Sequence, residues 1–209
     1  MSLPFVRHLR GKRVVLASGS PRRKEILSSV LGLKYDVVPS TFPETLDRSK
    51  YSPKDYVLAN AREKGMEVYT RLNSNADLII SADTVVCLDG EILEKPRDPD
   101  HAFDMLSKLN GNKHYVYTGV TLIYKKDNSS DPITYSFVEE TEVIFRKNSE
   151  DMIRAYVGTG DPFDKAGGYG YQGIASVFVE KINGCYYNVV GLPSSLFVKL
   201  EELVRTKEI

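Results

Sequence analysis

The 209-residue sequence has no excess of charge of either sign, because 28 Lys and Arg residues balance 28 Asp and Glu residues. Domains that bind DNA or RNA usually carry a clear basic excess or a concentrated basic face. The balance therefore argues against a nucleic-acid polymer as partner. Any positive field has to be local.

Cysteine and histidine are scarce as well. Cys87 and Cys185 stand far apart without CxxC spacing, so we interpret them as core thiols in a reducing compartment rather than as zinc ligands. His8, His101 and His114 have no serine or cysteine motif around them, which disfavours triad chemistry without excluding it. Catalysis by carboxylates and a metal ion stays open.

Long apolar runs are missing too. No segment stays apolar for about 18 residues, and the basic stretch Met1–Arg13 lacks the apolar centre of a signal peptide. We therefore expect a cytoplasmic protein that does not bind membranes. With 42% apolar residues the chain can bury a sizeable core, and we expect residues 1–209 to form a single domain.

Helix and strand signals alternate early in the chain, and strand signals dominate its middle. The predicted elements are a strand at 14–17, a helix from Pro21 to Gly32, a strand at 35–38, a helix at 53–72, a strand at 78–88, a hairpin at Asp89-Gly90, a helix from Pro99 to about Gly111, long antiparallel strands from His114, a helix capped by Ser149, a glycine-rich loop at 161–173, a strand at 176–181 and a C-terminal helix. Lys125–Pro132 predicts a solvated hairpin loop. We expect an α/β fold with a bent mixed sheet, flanking helices and a groove.

The segment from Ser18 to Arg23 predicts an anion site at a strand-to-helix junction. Ser18, Gly19 and Ser20 permit close backbone approach, the helix start exposes N–H groups, and Arg22 and Arg23 can bind phosphate oxygens. An ordinary helix start with solvated arginines explains the same residues about as well.

Asp83 lies inside an otherwise apolar strand, where a carboxylate is costly to bury unless it is paired, bound to metal or facing a cleft. Such a group could hold a divalent cation and accept a proton from an attacking water. The alternative is an aspartate satisfied by backbone amides of a turn. Thr84 beside it could equally be a plain strand residue.

Three lysines have weaker signals. Lys95 follows the Asp89-Gly90 hairpin and could return towards Asp83, but a lysine before proline is usually a solvated edge residue. Lys64 lies on a helix, where charge is usually on the surface. Lys165 shares with Gln172 a loop of four glycines in ten residues, which could contact a ligand through charge and base-edge hydrogen bonds or could be a packed structural loop.

Taken together, these motifs resemble the Maf family of nucleotide pyrophosphatases from Val14 to about Leu200. The resemblance is carried by seven collinear stretches: Leu16–Arg23 (LASGSPRR), Ala61–Lys64 (AREK), Ala82–Thr84 (ADT), Gly90–Arg97 (GEILEKPR), Thr118–Val120 (TGV), Asp164–Gly173 (DKAGGYGYQG) and Asn188–Pro193 (NVVGLP). One such motif would be weak support, whereas seven in order are specific.

The resemblance implies a two-lobed α/β fold shared with inosine triphosphate pyrophosphatases, a nucleotide in the groove between the lobes, and a homodimer. Asp83 matches the family's general base. Glu44 matches a carboxylate that, with Asp83, holds Mg²⁺ or Mn²⁺, and Asp47 is the alternative in that poorly aligned loop. The positions that match phosphate-side residues are Ser18, Ser20, Arg23, Lys64 and Lys95.

The combination of Arg22, Thr84 and Gln172 resembles the branch that acts on dTTP and UTP. The implied reaction releases pyrophosphate from these or from other or modified pyrimidine nucleotides and leaves the monophosphate. Two rivals stay open: a regulatory module that senses a nucleotide without turnover, and a pyrophosphatase for purine or modified nucleotides.

The sequence departs from the family pattern at four positions. Ser81 stands where glycine is usual, Gly65 replaces an alanine, Asn110 replaces a serine, and Tyr171 replaces an isoleucine before Gln172. We expect the last change to affect base selectivity.

Overall fold

The computed structural model describes residues 3–126 and 131–209, so the centre of the predicted 125–132 loop lies outside the described residues. The helices are α1 Pro4–Leu9, α2 Pro21–Glu25, α3 Pro53–Arg71, α4 Pro99–Leu109, α5 Glu150–Gly158, α6 Tyr186–Val190 and α7 Ser195–Arg205. The strands are β1 Val14–Leu16, β2 Asp36–Val37, β3 Leu78–Leu88, β4 Glu91–Leu93, β5 Lys113–Tyr124, β6 Ile133–Phe145 and β7 Val179–Asn183.

The predicted helix starts are confirmed by their capping bonds. The side chains of Ser20, Ser52, Asp98 and Ser149 each accept a hydrogen bond from the backbone N–H three residues on. Such bonds satisfy N–H groups that the first helical turn leaves unpaired.

Two elements differ from the prediction in their bounds. The helix from Pro21 changes at Ile26 into a π-helical turn that ends at Val30. The strand expected from Ser176 begins at Val179, because Ile174–Phe178 forms a 3-10 helix. Its buried residues Ala175 and Phe178 are three apart, which suits a 3-10 period and not the alternation of a strand. The short helices α1 and α6 were not predicted.

In the described residues the strands form one mixed seven-stranded sheet in the order β2-β1-β3-β5-β6-β7, with β4 paired to β3. β2, β1 and the start of β3 are parallel, and the remaining pairs are antiparallel. The expected mixed α/β sheet with flanking helices is confirmed.

One edge of β3 is shared between two partners, and this sharing creates a gap. β1 pairs with Leu78–Ile80, and β4 pairs with Val86–Leu88. Between them, and within the part of the chain that the structure describes, residues 81–85 have a strand neighbour only on the β5 side. A change of neighbour along one strand is the place where α/β sheets form ligand crevices.

Two hydrophobic cores lie on the same face of the sheet, one on either side of this gap. The first contains Leu78, Ile80 and Ala82 of β3 with residues of α1 and α7. The second contains Val86 with residues of α4 and α5. α3 covers the opposite face, where Val85 packs beside Tyr56 and Val57. Within the described residues, no helix combines the length and apolarity needed to cross a membrane.

Candidate active site

A cavity of about 590 Å³ opens at the gap in the β3 edge. All of the side chains predicted for the site line it: Ser18, Ser20, Arg22, Arg23, Glu44, Lys64, Asp83, Thr84, Lys95, Lys165 and Gln172. They come from segments as distant as β1 and the 161–173 loop, so only the fold brings them together.

Asp83 and Thr84 reach the same cavity although neighbouring strand residues point to opposite faces. Asp83 faces α3 and bonds with Lys64, while Thr84 faces Arg23 on the other side of the sheet. Because no strand covers this edge of β3, the cavity extends past the edge and is lined by both side chains.

Lys64 bridges two carboxylates of the cavity, those of Asp83 and Glu44. Its Nζ lies 2.7 Å from Asp83 Oδ1 and 3.0 Å from Glu44 Oε2. The side chains of Lys64 and Asp83 are each only 11% exposed, so the interpretation of Lys64 as a surface charge is wrong. Burial raises the pKa of Asp83 above its usual value, and the nearby Lys64 charge opposes part of that rise.

Glu44 is held in an unusual backbone conformation, with φ at 48°. Non-glycine residues rarely adopt positive φ, and such residues cluster at functional sites. Upstream of Glu44, Glu67 on α3 accepts bonds from Ser40 Oγ and Thr41 N, which fixes this loop against the helix. The alternative residue Asp47 does not line the cavity and instead caps a 3-10 turn by accepting from Ser49 N.

The two carboxylates fit a divalent cation that also binds the substrate. Asp83 Oδ1 and Glu44 Oε2 lie 2.7 and 3.0 Å from the same Lys64 ammonium, so both carboxylates face one cationic position. Within residues 3–126 and 131–209 no group of three or more His, Cys, Asp or Glu side chains is arranged around a metal position. Mg²⁺ is often bound by one or two carboxylates together with substrate phosphates and water, and this donor set matches that pattern.

Arg23 is anchored on three sides. Its Nε donates to Gly191 O at 2.8 Å, one terminal nitrogen to Ser18 Oγ at 3.1 Å and the other to Thr84 Oγ1 at 3.0 Å. A guanidinium has five N–H donors, so one remains on each terminal nitrogen for a ligand. Burial lowers the pKa of Arg23, and the Asp83 charge opposes that shift.

Arg22 and Lys165 meet at Asp164 on the far wall of the cavity. Arg22 Nη1 and Lys165 Nζ lie 3.0 and 2.7 Å from the two Asp164 carboxylate oxygens. Lys165 also donates to Asp161 O and Oδ1, so its three N–H groups are used within its own loop. The sequence predicted that Lys165 offers charge to a ligand; the structure places it in the wall with that charge already engaged.

Lys95 differs from the other two lysines of the cavity. Its side chain is exposed, and among the described residues it forms no ion pair. The hairpin brings it to the cavity, as expected, and leaves its ammonium available to an anion.

The part of the cavity away from these charged side chains is mostly apolar and aromatic. It is lined by Val86, Val116, Val189, Tyr169 and Tyr171, with Gln172 beside them. Such a surface suits a planar base, with an amide at its edge.

Sequence reasoning missed several residues that support this site. Glu94 lines the cavity and accepts from Tyr56 Oη at 2.8 Å. The fully buried His114 bonds through Nε2 with Tyr169 Oη at 2.7 Å, and burial lowers the pKa of His114 to about 4. Thr118, which belongs to the TGV motif, contacts Thr84. A polar residue in an apolar strand, the signal that identified Asp83, was also present at His114 and Thr118.

Comparison with known proteins settles the family. The family model described as Maf-like protein matches residues 13–203. The chain belongs to the Maf family. A Clostridium perfringens dTTP/UTP pyrophosphatase is 46% identical over 91% of this chain and 96% of its own length. A Thermococcus kodakarensis dTTP/UTP pyrophosphatase is 45% identical over the same shares.

A longer human relative carries the Maf region as one part. It is named "Probable bifunctional dTTP/UTP pyrophosphatase/methyltransferase protein" and is 45% identical over 94% of this chain, which spans 32% of the human protein. Among solved structures, a nucleoside-triphosphatase / dITP/XTP pyrophosphatase from Mycobacterium abscessus matches 94% of this chain and 96% of its own with a TM-score of 0.39 and 12% identity.

Two departures from the Maf pattern compensate one another in space. A Cβ atom added to Gly65 on α3 would lie 2.6 Å from Ser81 Oγ on β3. The Ser81 hydroxyl, which donates to Ala61 O at 2.7 Å, therefore fills the space that an alanine at position 65 would need. Gly65 and Ser81, two positions where the resemblance implies other residues, are therefore in direct contact between α3 and β3.

Proposed function

We propose that this chain hydrolyses dTTP and UTP to the nucleoside monophosphate and pyrophosphate. The observation that carries the proposal is Asp83, a buried carboxylate beside Lys64 in a cavity that Arg22, Arg23 and Lys95 also line. The names of relatives with about 45% identity over more than nine-tenths of the chain support the choice of substrate.

In the proposed reaction, Asp83 accepts a proton from the water that attacks the α-phosphate. Its raised pKa suits this role, because a stronger base takes up the proton more readily. Lys64 keeps the carboxylate in place and, together with Arg23 and Lys95, neutralises the charge that develops on the departing pyrophosphate. The backbone N–H groups at the start of α2, beside Ser18 and Ser20, offer further phosphate donors.

Glu44 and Asp83 would hold the Mg²⁺ or Mn²⁺ ion, which would polarise phosphate oxygens when bound. A titration of MgCl₂ or MnCl₂ against pyrophosphate release, with EDTA as control, tests this part separately. Turnover at full rate in EDTA would remove the metal from the proposal.

The function is tested by measuring pyrophosphate and orthophosphate released from dTTP, UTP, CTP, dITP and 7-methyl-GTP. We expect pyrophosphate from dTTP and UTP, and a loss of at least about a hundredfold in Asp83→Asn, in line with the removal of a general base. Asp104→Asn is the matched control, because Asp104 is exposed on α4 and does not line the cavity.

The outcomes separate the rival functions. Release from dITP or 7-methyl-GTP in preference to dTTP and UTP would make the chain a purine or modified-nucleotide pyrophosphatase. Binding across the panel without release would make it a nucleotide sensor. Undiminished activity in Asp83→Asn would remove Asp83 from the mechanism.

We also propose that the chain forms a homodimer and works in the cytoplasm as one domain. The family resemblance supports the dimer, and the two free thiols, Cys87 and Cys185, are compatible with a reducing compartment. Sedimentation equilibrium at micromolar concentration measures the first property, and a monomer there would refute it.

A further inference from the structure

Two side chains that line the cavity, Arg23 and Thr84, form a continuous line of hydrogen bonds with Thr118 behind them. Arg23 Nη2 lies 3.0 Å from Thr84 Oγ1, which lies 2.9 Å from Thr118 Oγ1, which lies 3.2 Å from the backbone oxygen of Asn188. Thr118 is fully buried, so no bulk water competes for its hydroxyl.

The two ends of this line fix the direction of every proton in it. The guanidinium of Arg23 can only donate, and the carbonyl of Asn188 can only accept. Thr118 must therefore give its proton to Asn188 O, since the opposite arrangement would place two lone pairs against each other in a buried site. With that proton used, Thr118 can only accept from Thr84.

The consequence for Thr84 is a hydroxyl with no proton left for a ligand. Its single O–H points to Thr118, and one of its two lone pairs accepts from Arg23. The remaining lone pair is what Thr84 can offer to the cavity that it lines. Thr84 is therefore an acceptor towards the ligand.

The position of Thr84 places this acceptor where the base begins. Arg23 lies on one side of Thr84. Val86 lies two residues further along the same face of β3, and it pairs with Val116 on β5, which also lines the cavity. Thr84 thus stands between the phosphate-binding end and the apolar end. A ligand group that meets it there needs a hydrogen-bond donor, such as the N–H of a base.

Resting on the proposed function, we propose that Thr118 is a positioning residue for base selection. By holding the Thr84 proton, it makes the cavity favour pyrimidines with a hydrogen on N3, as in uracil and thymine, over cytosine, whose N3 is an acceptor. Thr118 contacts no substrate in this arrangement and acts through Thr84.

The test compares kcat/KM for UTP, CTP and N3-methyl-UTP in the unchanged protein and in Thr118→Val and Thr118→Ser. We expect the unchanged protein to prefer UTP over both others by about tenfold, the scale of one hydrogen bond. In Thr118→Val the Thr84 proton is released and can turn to the ligand, so the UTP to CTP ratio should fall towards one. Thr118→Ser keeps the hydroxyl and should keep the ratio.

A merely structural role would lower kcat/KM for both nucleotides alike and leave their ratio unchanged in Thr118→Val, which would overturn the proposal. N3-methyl-UTP gives a result that does not depend on any variant folding: turnover at the UTP rate by the unchanged protein would also overturn it. If no nucleotide releases pyrophosphate, the proposed function fails by itself. The same ratios are then read from dissociation constants measured by calorimetry.

Discussion

The contact between α3 and β3 gives a sharp test of how the site is held. Replacing Gly65 by alanine places a Cβ atom 2.6 Å from Ser81 Oγ and 2.8 Å from Ile123 Cδ1. Real Cβ atoms do not approach other atoms this closely, so either the side chains of Ser81 and Ile123 or the helix itself has to shift. Because Lys64 is the preceding residue, its 2.7 Å bond to Asp83 should lengthen.

The magnitude follows from opposing terms. Overpacking of a core typically costs about 1–3 kcal/mol. Alanine is favoured over glycine within a helix by about 1 kcal/mol, which offsets part of that cost. We therefore expect Gly65→Ala to lower the free energy of unfolding by up to about 2 kcal/mol.

Ser81→Gly should relieve part of the clash in the double variant, because the contact with Ser81 Oγ is lost while the contact with Ile123 Cδ1 remains. Alone, it removes the bond from Ser81 Oγ to Ala61 O and weakens the strand, a loss of about 1–2 kcal/mol. In the double variant the alanine methyl group occupies the space of the lost hydroxyl. The two single variants and the double variant form a double-mutant cycle with the unchanged protein. The helix propensity of alanine contributes equally with and without Ser81→Gly, so it cancels, and the coupling energy isolates the steric term of about 1–3 kcal/mol.

Urea unfolding of the unchanged protein, Gly65→Ala, Ser81→Gly and the double variant measures this coupling. The kcat for UTP measures the effect on the site. Gly158→Ala is the matched control, because a Cβ at this glycine of α5 meets no atom within 4 Å. Combined with Ser81→Gly, it should be additive. A coupling energy below about 0.5 kcal/mol for the Gly65 and Ser81 pair, or a kcat unchanged by Gly65→Ala alone, would refute the reasoning.

Further predictions concern charge. Arg71 holds the pKa of Glu67 at about 2, below its usual value of 4.5, so the carboxylate stabilises the fold fully above about pH 4.5 and loses this effect as pH falls towards 2. Urea unfolding should therefore show Glu67→Gln to be less stable than the unchanged protein at pH 7, by a margin that shrinks below pH 4. Burial raises the pKa of Asp83, so kcat/KM for UTP should fall as pH drops through that raised value; a profile that stays flat down to pH 4 would contradict the general-base role. Lys95→Ala should raise KM for UTP about tenfold, since a charged hydrogen bond is lost, while Lys108→Ala on exposed α4 should leave it unchanged.

The mixed fold and the list of cavity residues could be predicted from the sequence because their signals are local. Capping residues followed by proline marked three helix starts, and the apolar run around Asp83 marked the central strand. Family motifs then linked Asp83 to distant residues such as Arg23 and Gln172. Their roles in the reaction stay predictions.

The environment of each lysine could not be predicted, because it depends on which segments meet across the gap. Lys64 looked like a surface residue of an amphipathic helix, yet α3 faces the sheet at that turn and buries it against Asp83. Lys165 looked free, but a 3-10 turn brings Asp161 and Asp164 around its ammonium. The Lys64 contact joins residues 19 positions apart, which no local spacing encodes, whereas the Lys165 contacts lie within its own loop and depend on the 3-10 turn.

These lysine environments bear on how a triphosphate is accommodated. The cavity is lined by positive and negative side chains in nearly equal number. The positive ones are Arg22, Arg23, Lys64, Lys95 and Lys165, and the negative ones are Glu44, Asp83, Glu94 and Asp164. The net charge is therefore only slightly positive, and most of the cations are already paired inside the protein.

A nucleoside triphosphate brings about four negative charges into this nearly neutral space, next to a buried carboxylate. Exposed Lys95 and the two remaining N–H groups of Arg23 are too few to balance them. Glu44 and Asp83, the two carboxylates that face the Lys64 ammonium, add to this excess of negative charge. A divalent cation that arrives with the phosphates would lie there and reduce the repulsion between Asp83 and the nucleotide. The charge balance of the cavity thus supports a metal–nucleotide complex, and not the free nucleotide, as the substrate of the proposed reaction.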